Sequence, residues 1–355
     1  MNPPGPTTLR RPPHARHAVL TALAVLALAG QASHAQTRTM TLSPDGVWEQ
    51  DRPPAAGSPE EGLAVARGHL ARNQPERALV LLDEWLERYR PDEHPLIPAA
   101  LLARGDAKTA SGDEFEALYD YEDVIKNYPA SEEFSLAVER EVEIATRYIN
   151  GLRRKFIFGL RTTDATDIGE ELLVRAQERM PGSQLAERAC VELADHYYRI
   201  RDLPMAADAY EVLLKNFPLS EYAQRAMQRR VFATIAQFKG PGYDARPLRE
   251  AQQLIGQFAS RYPLAAEQAG MTDALAARLD ESAAAHLLSI AEWYLVRDDP
   301  VAARFQLRRL IVSHPATVAS RRALEIAAEK GWAMPSVVTE RAPAPDAPTP
   351  GDARP

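Results

Sequence analysis

The stretch Asp202-Leu203-Pro204-Met205-Ala206-Ala207-Asp208-Ala209-Tyr210-Glu211-Val212-Leu213-Leu214-Lys215-Asn216-Phe217-Pro218-Leu219-Ser220 decides the fold. A small residue, Ala206, is followed eleven residues later by a large one, Phe217, then by proline and, two residues on, by a hydroxyl. Eleven residues are about three helical turns, which brings both ends of the interval onto one helix face. The small residue permits close approach of a neighbouring helix. Proline disfavours helical geometry in the residue before it and ends the helix.

The same phrase recurs along the chain. It is read at Ala78…Tyr89 with Pro91 one residue late, Ala117…Tyr128-Pro129, Gly169…Met180-Pro181, Ala251…Tyr262-Pro263 and Ala303…His314-Pro315. Ser131, Ser183, Ser220 and Thr317 stand two residues after their prolines and are expected to cap the next helix. Acids such as Glu132, Glu133, Glu187 and Glu221 follow where the helix dipole favours them. Ser58-Pro59-Glu60-Glu61 reads as a capping box that opens the array. Asn73-Gln74-Pro75, Ser111-Gly112-Asp113 and Arg201-Asp202-Leu203-Pro204 read as turns within hairpins.

Each unit is therefore an antiparallel helix pair that cannot bury its apolar face alone. Pro181 and Pro218 stand closest together, near the roughly 34-residue tetratricopeptide (TPR) period, while wider intervals imply longer first helices or inserted loops. The expected fold class is all-α: a TPR-like, right-handed α-solenoid of about six helical hairpins.

Composition agrees. The 355 residues are 45% hydrophobic and 26% charged, with mean hydropathy −0.34 and one cysteine. A disulfide framework and a four-thiolate metal site are excluded. A net charge of −7 and pI near 5.7 argue against nucleic acid as the main partner. No interior segment approaches the roughly 20 apolar residues of a spanning helix. The 28 prolines divide between hairpin ends and the terminal segments.

Residues 1–35 read as a secretory signal peptide: Arg10, Arg11 and Arg16 precede the apolar run Ala18–Ala29, and Ser33-His34-Ala35 sets cleavage before Gln36. No cysteine stands near that site, so no lipobox is read. Residues 36–57 read as a linker, 58–163 as N-terminal TPR-like hairpins, 164–332 as a core, and 333–355 as a disordered proline-rich tail. The lone thiol, Cys190, reads as a small buried core residue.

No catalytic motif, cofactor signature or metal-ligand spacing is found, so no enzyme, cofactor or metal is expected. His69, His94, His196, His286 and His314 lack a convincing partner at ligand spacing, and His196 reads as an ordinary helix position. Phe238–Asp244 reads as a loop inserted within one hairpin, since Pro241 removes an amide that a phosphate loop needs. A solenoid without chemistry offers surfaces for peptides and proteins. Tyr197, Tyr198 and Arg199 are the candidate contact residues on one first helix.

From about Asp164 to Trp332 the chain resembles BamD, the TPR lipoprotein family of the outer-membrane β-barrel assembly machinery. The carrying residues are Asp195–Ala206 with its paired tyrosines and D-L-P-x-A turn, the Phe238–Asp244 loop, and Phe258-Ala259-Ser260-Arg261-Tyr262-Pro263. The last hairpin adds Leu279-Asp280-Glu281, Ile290-Ala291-Glu292-Trp293-Tyr294, His314-Pro315-Ala316-Thr317 and Arg322-Ala323-Leu324. The resemblance implies a periplasmic scaffold, its association with the outer membrane left open by the missing lipobox, that assists insertion of outer-membrane β-barrel proteins. Its partners would be unfolded outer-membrane protein segments, taken by the N-terminal repeats of the core, and the barrel assembly component, held by the C-terminal repeats. Where many members carry an arginine for that component, this chain has Gln306, flanked by Arg304 and Arg308. A different periplasmic TPR adaptor, in envelope division or polysaccharide export, shares every feature before the resemblance. The helical superstructure of a lytic transglycosylase would need a separate catalytic domain, for which the residues after 332 are too few.

Overall fold

A computed structural model describes residues 40–42, 48–50, 54–155 and 159–335. The segment read as a signal peptide, most of the linker and residues 336–355 of the tail lie outside the described residues. The chain divides into two units, 1–61 and 62–355. In the first, β1 (Met40–Leu42) pairs antiparallel with β2 (Trp48–Gln50), Met40 opposite Gln50 and Leu42 opposite Trp48. This ladder falls within the segment read as linker.

The second unit is built of helical hairpins. They are α1 (Pro59–Ala71, entered from the first unit) with α2 (Pro75–Tyr89), α3 (Ile97–Ala110) with α4 (Glu114–Asn127), and α5 (Glu133–Ile149) with α6 (Thr166–Arg179). Next come α7 (Gln184–Arg199) with α8 (Leu203–Asn216), and α9 (Ala223–Ala236) with α10 (Arg246–Arg261). After the short α11 (Pro263–Gln268), α12 (Asp273–Val296) pairs with α13 (Pro300–Ser313), and α14 (Val318–Glu329) follows. From α3 to α11 each helix packs on the one before it, α12 returns to pack on α10, and α13 and α14 follow in turn; first helices of consecutive units also meet, α3 on α5, α5 on α7 and α7 on α9. This is the all-α, TPR-like solenoid expected from the repeat.

All six small residues of the recurring phrase sit where helices cross. Ala78, Ala117, Ala206, Ala251 and Ala303 are fully buried, and Gly169 lies against the backbone of α5. The large residues differ from the expectation of a helical position. Tyr128, Met180, Phe217, Tyr262 and His314 are C-caps, and all five adopt nearly one backbone conformation, φ −130 to −135° and ψ 50 to 65°. The proline ring crowds the α region of the residue before it, so the turn is broken at that residue. Tyr89 alone remains helical, because its proline comes one residue late.

The turns inside four hairpins share a second device. Asn73, Gly112, Arg201 and Asp298 adopt left-handed backbone, φ 55 to 77°. The amide of the following residue then bonds a carbonyl five residues back: Gln74 to His69 at 2.9 Å, Asp113 to Lys108 at 2.8 Å, Asp202 to Tyr197 and Asp299 to Tyr294 at 3.0 Å. This is the Schellman closure of a helix end. The same residue is the N-cap of the next helix, and Asp202 and Asp299 accept from the amides of Met205 and Ala302. One residue closes a helix and opens the next.

The hydroxyls after proline divide. Ser183 and Thr317 cap their helices, accepting from the Ala186 and Ser320 amides at 3.1 Å. Ser131 and Ser220 do not, because α5 begins one residue and α9 two residues later than the spacing implied; Ser220 instead accepts from the Tyr222 amide at 3.0 Å. The wide interval between Pro129 and Pro181 holds an inserted ribbon, β3 (Arg154–Lys155) paired with β4 (Arg161–Thr163). Lys155 and Arg161 pin it to the α3–α4 turn through the Ser111 and Gly112 carbonyls, both at 2.9 Å. The interval between Pro263 and Pro315 is filled by α11 and the 24-residue α12.

The interior separates into three apolar clusters. One runs from Leu63 through Ala233, a second is centred on Leu248, Leu254 and Phe258, and a third on Leu307, Leu310 and Ile326. The long α12 contributes Leu279 and Ala283 to the second and Leu287 and Ala291 to the third.

Candidate protein-binding surfaces

The α6–α9 region carries two polar clusters. In the first, α7 turns His196 and Tyr197 toward Glu170 in the opening turns of α6. His196 is buried, its Nε2 3.1 Å from Glu170 Oε1, and the Tyr197 hydroxyl donates to Glu170 Oε2 at 3.0 Å. Arg199 Nη2 lies 3.4 Å from His196 Nδ1 and donates to the Ile149 carbonyl at 3.3 Å. A guanidinium has no acceptor, so Nδ1 accepts and Nε2 carries the proton shared with Glu170. Burial first, then the bond to Glu170, pushes the Tyr197 phenol up to about 12. His196 is thus a satisfied helix residue, as read from the sequence.

The second cluster centres on Asp195. It accepts from the Tyr210 hydroxyl at 2.6 Å, Arg229 at 2.5 Å and Arg225 at 3.1 Å. Tyr198 packs edge-on to Tyr210 at 6.2 Å, and the Arg229 guanidinium lies over the Tyr198 ring, 5.5 Å from its centroid. The three residues expected to act together therefore occupy three environments. Tyr197 lies beneath the surface and is spent on Glu170, Tyr198 is half-buried, and Arg199 is exposed.

In the last hairpin, α13 buries Ala303, Leu307, Leu310 and Ile311. Its outer face presents Val301, 79% exposed, and Phe305, 64% exposed, interleaved with Arg304 and Arg308. These four line a groove of about 620 Å³ whose other wall is Trp332–Pro335. Arg304 reaches across it to the Ala333 carbonyl at 3.4 Å. Gln306 does not line it: it is half-buried, and its Oε1 has no hydrogen-bond partner among the described residues. Val301 and Phe305 were missed by sequence reasoning, although their four-residue spacing, out of phase with the buried stripe, marks a second apolar face. Among the described residues no three potential ligands converge as a metal site, and no helix is long and apolar enough to cross a membrane.

Residues 160–337, half of the chain, match the family YfiO, outer membrane lipoprotein. The chain belongs to this family. The match begins at the inserted ribbon and runs past α14, so the YfiO portion holds the α6–α9 clusters and the α13 groove together. The BamD-like core expected from Asp164 to Trp332 holds at the level of this family. Residues 99–131, which contain most of α3 and all of α4, match a tetratricopeptide repeat.

No curated protein matches the chain significantly. Solved structures similar to it include the C-terminal part of a TPR repeat-containing protein from Cytophaga hutchinsonii, 13% identical with TM-score 0.37, covering 76% of this chain and 88% of that one. PilW, a type IV pilus biogenesis factor, is 12% identical with TM-score 0.29 over 76% of this chain and all of its own. Pseudomonas aeruginosa pilF is 15% identical with TM-score 0.27 over 76% and 97%.

Proposed function

We propose that this YfiO-family chain is a non-catalytic periplasmic scaffold that assists assembly and insertion of outer-membrane β-barrel proteins. The observation that carries the reading is the coincidence of the family match with the hairpins bearing the exposed α13 face. On this reading Arg304, Phe305 and Arg308 contact the barrel assembly component, with cationic and apolar groups alternating as protein interfaces favour. Gln306, behind that face, supports it. Tyr198 and Arg199 contact unfolded outer-membrane protein segments, and Tyr197 holds their helix to α6 through Glu170. The protein acts at the inner face of the outer membrane.

The test is site-specific photocrosslinking in the native envelope, with the photoreactive residue at Phe305 or Arg308. The expected adduct contains an outer-membrane barrel assembly protein, and the same protein co-purifies with the unmodified chain. A clean purification and adducts that both lack such a protein overturn the proposal.

A further inference from the structure

Between α10, α12 and α13 lies a pocket of about 470 Å³, separate from the α13 groove. Most of its charged groups are spent on one another. Arg246 pairs with Asp244, and His314 Nδ1 lies 2.7 Å from Asp280 Oδ1. His286 Nδ1 donates to the Pro241 carbonyl at 2.6 Å, so the inserted loop is tied down at the pocket mouth. Two guanidinium groups remain. Arg249 of α10 and Arg309 of α13 both line the pocket, and neither has a hydrogen-bond or ion-pair partner among the described residues. Gln252 and Ser313 add neutral hydrogen-bonding groups, and Ala283, Leu287 and Ile290 of α12 form an apolar wall.

Two unpaired cations beside an apolar wall, in a chain whose net charge is −7, call for an anionic ligand with an aliphatic part. A bare inorganic oxyanion would satisfy the guanidinium groups but make no use of Ile290, the half-buried part of the α12 wall beside the buried Ala283 and Leu287. An acidic side chain next to an apolar residue satisfies both, since guanidinium groups favour carboxylates and the volume suits a few side-chain groups. We infer that the pocket receives a carboxylate side chain of a partner polypeptide, its oxygens held by Arg249 and Arg309 and its apolar neighbour seated on Leu287 and Ile290. The inference rests on the protein-binding reading above but concerns a different surface of the last two hairpins.

The full-length chain is titrated at low salt with a fluorescein-labelled peptide, capped at both ends, of sequence Leu-Glu-Leu-Glu-Leu, and with its Leu-Gln-Leu-Gln-Leu counterpart. Fluorescence anisotropy is expected to show the acidic peptide binding about tenfold tighter, as charge-assisted hydrogen bonds require. The advantage disappears in the double variant R249Q/R309Q, whose exposed side chains leave thermal unfolding unchanged. It also disappears in Gln252→Glu, which sets a carboxylate one helical turn from Arg249. Equal binding of the two peptides, or an acidic advantage that survives both variants, overturns the inference. So does calorimetric binding of inorganic phosphate with no preference for the acidic peptide, which would mark a simple oxyanion site. Photocrosslinking through Phe305 is independent of Arg249 and Arg309, so failure of the pocket and failure of the scaffold reading are told apart.

Discussion

Gly169 of α6 lies so close to Ala145 of α5 that a Cβ at position 169 would stand 2.8 Å from the Ala145 carbonyl oxygen. In most helices, replacing glycine by alanine stabilises, by roughly 1 kcal/mol. Here the obstacle is backbone, which cannot swing aside, so Gly169→Ala is expected to destabilise by about 1–3 kcal/mol through overpacking. Gly256→Ala in α10, where nothing lies within 4 Å, should stabilise instead. Urea unfolding of the two variants gives opposite signs if crossing geometry governs position 169. Enlarging Ala206 or Ala303, both fully buried, should cost a similar amount to Gly169→Ala.

Glu114 is 2% exposed and holds two guanidinium groups, Arg147 at 2.8 Å and Arg161 at 2.8 Å. Arg161 belongs to the inserted ribbon, so one buried carboxylate ties α4, α5 and that ribbon together. Glu114→Ala removes the common partner and should cost about 3 kcal/mol, the lower end for a broken buried pair because both arginines reach solvent. Arg161→Ala should cost less and act locally. Hydrogen exchange would then speed up in 152–155 and 159–163 while α7–α10 stay protected, and uniform acceleration across the chain would refute the clamp.

Glu141, 1% exposed, shares Arg179 with Glu122. Burial raises its pKa from 4.5 to about 8; Arg179 works against that shift and Glu122 adds to it. A carboxyl whose folded-state pKa lies above its unfolded value stabilises most below the unfolded value, and this contribution is lost as pH rises toward 8. Glu141→Gln keeps the shape without the charge. Its melting temperature should pull ahead of the parent between pH 5 and pH 8, by an amount equivalent to about 1–3 kcal/mol. Parallel melting curves over that range would show that Glu141 ionises without cost.

Cys190 donates to Gln177 Oε1 at 3.0 Å, and burial pushes its thiol up to about 11. Only the thiolate reacts readily, so a disulfide reagent at pH 7.5 should label the native protein slowly and the urea-unfolded protein at once. Stoichiometric labelling within seconds in native buffer would contradict this placement.

The fold was legible because proline acts locally. It constrains the residue before it whatever the tertiary context, and five C-caps with one backbone conformation follow from that alone. The left-handed turn positions were harder to read. Glycine fills the slot once, at Gly112, while Asn73, Arg201 and Asp298 fill it elsewhere at a cost that the Schellman bonds offset. Ser131 and Ser220 looked like caps because a two-residue offset from proline cannot tell a cap from a turn hydroxyl one or two residues early. The ribbon at 154–163 escaped notice because strands this short leave no alternation to read. Tyr197, Tyr198 and Arg199 are neighbours in sequence, but consecutive helix positions point in different directions, and the structure gives them three different surroundings. The Arg249–Arg309 pocket had no sequence signal, since its two cations come from helices separated by a long stretch of chain.

The three apolar clusters give the molecule a mechanical property. The third is joined to the second chiefly through a single rod, α12, which crosses from one to the other. Tension applied at the C-terminal side, as when a bound partner is drawn away, meets the third cluster first. That cluster can give way while the long first cluster stays intact, as expected when each repeat is held only by its neighbours. The last hairpin is therefore the part of the array expected to unfold first under such a load.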